Sequence, residues 1–298
     1  MSGNIVPARQ VGVCADNESA NIALTERLAR RRISAVQNRY VGDVGDFGKY
    51  GLLKAFAGDD LRLGVVWYLN KGEEANRDGG FTAYLDDEES RLGRCDPALF
   101  KALRDLVRGG DRSVEAVRTR GVLPAGTVFY DAPLPHKNLT PAHSRELRAN
   151  WCRGAVAATT EADVVFLDPD NGLAGKSARQ GGRNGVKYVF CEELRPHLDR
   201  DQSLVIYHHQ GRSASLEQQI TERVQMLRRQ FTGLGSAWAL TYHRQQARAY
   251  LVLAAERHAC ALRERTMAFV AGPWGAGKQP HFKYVMASSV AATLFASR

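Results

Sequence analysis

Residues 164–173 read VVFLDPDNGL. The apolar run has the form of a strand covered on both faces. It breaks abruptly at Asp168-Pro169-Asp170-Asn171-Gly172. In an open α/β sheet, ligands sit outside the carboxyl ends of the parallel strands, which is where this run would deliver Asp168. Two readings follow: a carboxylate presented to a crevice, or an Asx-type turn that Asp168 and Asn171 close with Gly172.

The flanking sequence alternates strands with helices. LGVVWYL (63–69), GTVFYDAPLP (126–135) and SLVIYHHQ (203–210) read as further strands. Asp96 before Pro97, and Thr140 before Pro141, mark helix starts with a capping side chain and proline in the first turn. SLEQQITERVQMLRRQF (215–231) has the spacing of a long amphipathic helix. SAWALTYHR (236–244) and RAYLVLAAE (248–256) follow so closely that they can pair only as an antiparallel hairpin. The fold expected is α/β: a Rossmann-like, mostly parallel sheet with helices on both faces and an antiparallel C-terminal hairpin. Residues 36–298 are expected to form that single domain. Residues 1–35 are expected to be a loosely attached extension, with the run Arg30-Arg31-Arg32 a solvated end.

The chain has 298 residues, enough for one large domain of this class. No apolar run reaches the roughly 18–20 residues that span a bilayer, so no membrane is expected. Five scattered cysteines without a CxxC pair, and no apolar leader, point to the reducing cytoplasm. A formal net charge of +9 favours polyanionic partners, nucleic acid above all. The sequence sets no oligomeric state.

The other strand ends supply further candidates. Asn70 follows VVWYL, His208 and His209 end SLVIYHHQ with Arg212 just beyond, and Asp131 follows TVFY. Pro169 fixes φ and removes a backbone donor, so the carbonyls around Asp168 can be rigidly aimed. A carboxylate beside an open carbonyl can accept both hydrogens of an exocyclic amine, leaving the amine lone pair ready to attack an electrophilic methyl group. Asp170 and Asn171 complete this candidate catalytic stretch. A metal reading uses Asp168 and Asp170 with one histidine, because adjacent strand residues point to opposite faces.

GDVGDFGKYG (42–51) forms the second cluster. Its glycines imply a close approach to the backbone, or a turn of positive φ. Asp46 and Lys49 would share a face of a helix. Lys49 is placed to meet a carboxylate or a phosphate, and a capped helix start with a surface ion pair is the plainer alternative. Gly277-Lys278 is followed by Gln279, so neither lysine belongs to a P-loop.

Together these stretches resemble the RlmJ-type 23S ribosomal RNA adenine-N6 methyltransferases. That family has a Gly-Asn-x-Ala-Asp-x-x-Lys-His segment before a helix and an Asp-Pro-Pro-Tyr catalytic motif. Gly42, Asp46 and Lys49 match the first in identity and spacing, with Asp43, Gly45 and Tyr50 replacing its Asn, Ala and His. Asp168 and Pro169 match half of the second, which continues here as Asp170-Asn171. The resemblance implies a divergent class I methyltransferase-like protein with S-adenosylmethionine as methyl donor. It further implies a donor site formed by Gly42, Asp43, Asp46, Lys49 and Asn70, and a flipped-out base as acceptor. His208, His209 and Arg212 are then the candidates for holding substrate. The alternatives are a metal-dependent nuclease or phosphoesterase, and a non-catalytic nucleic-acid-binding module.

Overall fold

A computed structural model describes residues 40–69, 80–134, 139–182, 184–211 and 214–285. The N-terminal extension, Asn70 and Arg212 lie outside these residues. The first helix, α1 (Val44–Ala57), leads into β1 (Leu63–Trp67). Two 3-10 turns, α2 (Pro97–Arg108) and α3 (Val114–Thr119) precede the short strand β2 (Val128–Tyr130). After α4 (Pro141–Ala158) come β3 (Val164–Asp168), β4 (Gly172–Leu173) and β5 (Tyr188–Val189). Then follow α5 (Cys191–Leu198), β6 (Ser203–His209), α6 (Leu216–Gln230), β7 (Ser236–Arg244), β8 (Gln246–Ala254), α7 (Glu256–Ala271) and β9 (Phe282–Val285).

Seven strands form one sheet in the order β2-β1-β3-β6-β8-β7-β9. The first four run parallel. β8 is antiparallel to β6 and β7, so the expected hairpin closes the parallel set by placing its second strand against β6. Gln245, at φ 59°, is the one residue between the hairpin strands. β9 adds a last antiparallel strand that the sequence reading did not contain. β4 and β5 pair separately as a two-stranded ribbon.

Helices cover both faces, as the unbroken apolar runs of β1, β3 and β6 require. One face carries Val65, Phe166, Val205 and Val252, buried under α1, α2, α3 and α7. The other carries Val66, Val165, Leu167 and Ile206 under α4, α5 and α6. Among the described residues no helix is long and apolar enough to cross a membrane.

The glycine-rich stretch is not a loop ahead of a helix: α1 begins at Val44 and contains it. Asp43 is the N-cap, its carboxylate accepting from the Gly45 amide at 2.7 Å. Gly42, at φ +81°, makes the turn that brings the chain into that cap. Gly45 and Gly48 sit where α1 meets the hairpin, and side chains rather than a ligand approach them. The Arg248 guanidinium lies across Gly45 and the Tyr242 ring lies against Gly48. Tyr242 also donates its hydroxyl to the Val44 carbonyl at 2.8 Å.

Candidate functional site at the carboxyl rim of the sheet

Asp168 is the last residue of β3, a central strand flanked by β1 and β6. Alternation places Val164, Phe166 and Asp168 on the face covered by α1. Lys49, two turns into that helix after its cap, donates to Asp168 Oδ2 at 2.8 Å and to Asp46 Oδ1 at 2.8 Å. Tyr50 donates its hydroxyl to the other Asp46 oxygen at 3.1 Å. The lysine ammonium is ringed by Trp67, Tyr50 and Phe166 at 5.3, 5.8 and 6.0 Å from their centroids.

The sequence alternatives for Asp168 are separated by this geometry. Its carboxylate pairs with a helix 119 positions away and does not close a local turn. Asn171 contributes backbone instead, its amide bonded to the Lys187 carbonyl at 2.8 Å. The ion pair within α1 is a buried one, with Lys49 and Asp46 side chains 10% and 7% exposed.

Two carboxylates face one ammonium, so the triad carries one net negative charge. Burial, and then the neighbouring Asp46, push the Asp168 carboxyl above the ordinary carboxylate range, against the opposing pull of Lys49. Burial alone would strip the proton from Lys49, but Asp168 and Asp46 outweigh it and hold the ammonium well above the usual lysine value. Asp168 Oδ1 accepts no hydrogen bond from any described residue. The side chain therefore offers one committed oxygen and one open to a donor.

The register of the sheet extends the site sideways. Leu167 pairs with Ile206, which sets Asp168 level with Tyr207 at the next step, and Tyr207 pairs with Tyr250. One step closer to the rim, Arg248 lies between His209 and Tyr242. Arg248 and Tyr250 were missed by sequence reasoning. The signal for them was the alternation Arg248, Tyr250, Val252, Ala254, which puts a cation and a phenol on the buried face of a core strand.

The two histidines separate as strand geometry dictates. His209 shares the Asp168 face, whereas His208 is buried on the opposite face, against Gly172 in the turn after Asp168. Gly172 adopts φ +96°, and a side chain there would collide with His208. Burial, with Arg223 next, drops the His208 pKa to about 4, so its ring is neutral. Asp43 of the proposed donor set serves as a cap: its second oxygen accepts from the Phe81 amide at 3.2 Å. Asp131 pairs with Arg118 at 3.0 Å at the sheet edge.

A second polar cluster holds the loop after Asp168. Arg148, 2% exposed, pairs with Glu193 and donates to the Gly185 carbonyl at 2.9 Å. Glu193 in turn accepts from the Phe190 amide at 3.0 Å and starts α5. At the opposite rim, Ser203 Oγ lies 3.0 Å from His258 Nδ1, whose Nε2 lies 3.6 Å from Asp163. Ser203 is wholly buried and accepts from the Ala255 amide, so this Ser-His-Asp series clasps a strand start and presents no nucleophile. Among the described residues, no group of three or more His, Cys, Asp and Glu is arranged to hold a metal ion. No protein-family model matches the chain, and no curated protein matches it.

Proposed function

We propose that the chain is a divergent S-adenosylmethionine-dependent methyltransferase-like protein acting on an amino group of a nucleic-acid base. One observation carries the reading: the two stretches that resemble the adenine-N6 methyltransferases, 119 positions apart at Lys49 and Asp168, meet in a direct 2.8 Å ion pair at the carboxyl rim of the sheet. Nothing in local sequence demands that contact.

In this reading Lys49 fixes Asp168 Oδ2, and Oδ1 accepts a hydrogen of the exocyclic amine. The rigid Pro169 holds the backbone that presents it. Asp46 orients Lys49 and supplies the second negative charge. The single net negative charge of the Lys49–Asp46–Asp168 triad suits a cationic sulfonium group, which is the group that supplies the methyl when the donor is bound. Lys49, Asp46 and the turn at Gly42 are the described residues that would face it. On the loop after β4, Lys176 and Arg179 stand exposed, where they suit a phosphate backbone.

The metal-dependent alternative finds no ligand grouping among the described residues. The test is titration calorimetry with S-adenosylhomocysteine, followed by transfer of labelled methyl to RNA and DNA. Donor binding and transfer that disappears in Asp168→Asn support the reading. Absence of donor binding at millimolar ligand removes it, and salt-sensitive nucleic-acid binding without transfer would leave a binding module.

A further inference from the structure

Buried cations of this fold have their counter-ions: Lys49 has Asp46 and Asp168, and Arg148 has Glu193. Like Arg223 on α6, the half-buried Arg248 has no ion pair among the described residues. Its Nε is buried without a hydrogen-bond partner. So is the hydroxyl of Tyr250, two residues along the same face of β8 and itself fully buried. Unsatisfied buried donors each cost on the order of 1–3 kcal/mol, so a pair of them side by side calls for an explanation.

The guanidinium is nonetheless held in place. It stacks over the Tyr242 ring at 5.8 Å from the centroid and lies across Gly45, whose lack of a side chain makes the room. Asp43 flanks the same glycine, but its oxygens accept from the Gly45 and Phe81 amides and do not pair with Arg248. A planar fork of donors that no carboxylate contacts directly, with Asp43 and Asp168 acting on its charge only from a distance, fits an oxyanion. The Tyr250 hydroxyl adds a third donor, and Tyr207 links the pair across the sheet to Asp168.

We propose that Arg248 and Tyr250 form an anion subsite beside Asp168, which takes a phosphate or carboxylate oxyanion of the molecule bound there. The inference deepens the function proposed above and rests on that reading of the same rim of the sheet. The oxyanion has two sources, a phosphate of the acceptor nucleotide or the carboxylate of the methyl donor.

Calorimetry on the full chain with two ligand pairs separates them: adenosine 5′-monophosphate against adenosine, and S-adenosylhomocysteine against methylthioadenosine. The anion-bearing member of one pair should bind about tenfold tighter, equivalent to about 1.4 kcal/mol. That gap should close in Arg248→Gln and narrow in Arg248→Lys, which keeps charge but loses the fork. A gap in the nucleotide pair assigns the acceptor phosphate, and one in the second pair assigns the donor carboxylate. Tyr250→Phe removes only the hydroxyl and should also narrow the gap while melting no lower than the parent, an outcome that a purely structural role does not produce. Gaps equal in parent and Arg248→Gln overturn the subsite. If none of the four ligands binds, the methyltransferase reading fails, and inorganic pyrophosphate then decides the subsite alone. A melting temperature raised by pyrophosphate in the parent and not in Arg248→Gln upholds it, and no shift in either overturns it.

Discussion

Lys49 and Asp168 are 119 positions apart in the chain and 2.8 Å apart in the fold, joined between the first helix and the central strand. The pair is 10% and 12% exposed, so water does little to relieve either charge if its partner is removed. Lys49→Met would leave Asp46 and Asp168 facing each other in a buried site. The expected loss of stability is about 3–5 kcal/mol, read from urea denaturation. Asp168→Asn should cost less, because Lys49 keeps Asp46.

The same carboxylate sets the expected acid limb of activity. Burial, and then Asp46, hold Asp168 above the usual carboxylate range, and the proposed role requires the ionised form. Activity should therefore fall as pH drops through a midpoint higher than that of an ordinary aspartate. Asp168→Asn should lower kcat by about 10²-fold or more while donor affinity changes little. A kcat/KM profile flat through the acid range would remove Asp168 from the chemistry.

Gly45 offers a test in which two effects oppose. Gly45 is the second residue of α1, where Gly→Ala stabilises by less than the gain of about 0.5–1 kcal/mol in a helix interior. Here the added methyl would overlap the Arg248 guanidinium, the far end of a flexible side chain, and displacing it from the Tyr242 ring costs up to about 1 kcal/mol. The second effect is larger, so Gly45→Ala should melt lower than the parent. Gly45→Ala combined with Arg248→Ala should recover the loss, a coupling that a double-mutant cycle reads directly.

Tyr250→Phe should be neutral or stabilising by about 1 kcal/mol, since it deletes a buried hydroxyl that has no partner. A loss above about 1 kcal/mol in thermal unfolding would mean that the hydroxyl is satisfied in solution.

His208 predicts an acid-side loss of stability with a defined window. Its folded pKa is about 4 and its ordinary value 6.5, so below 6.5 the unfolded chain takes up a proton that the folded chain refuses. The contribution is complete above pH 6.5 and declines as pH falls towards about 4, reaching about 3 kcal/mol at 1.36 kcal/mol per pKa unit. The neighbouring Gln219 amide is committed to Gly211 and Ala214 and offers the ring little relief. His208→Phe should flatten this part of the stability curve.

Much of this protein was legible in the sequence because it depends on local patterns. The unbroken apolar runs at 63–69 and 203–207 had to be strands covered twice, and Asp96 and Thr140 cap helices where they stand. A linker of about three residues between the strands read at 236–244 and 248–256 left them no pairing but antiparallel, as they pair in the fold. Strand ends named Asp168, and helical spacing put Asp46 and Lys49 on one face. Tertiary structure alone decided that Lys49 meets Asp168, that Gly45 makes room for Arg248, and that Arg248 and Tyr250 reach this rim unpaired. Periodicity records which face of an element is buried. Which element covers that face is set by packing between distant segments, and no short window of sequence contains both sides of such a contact.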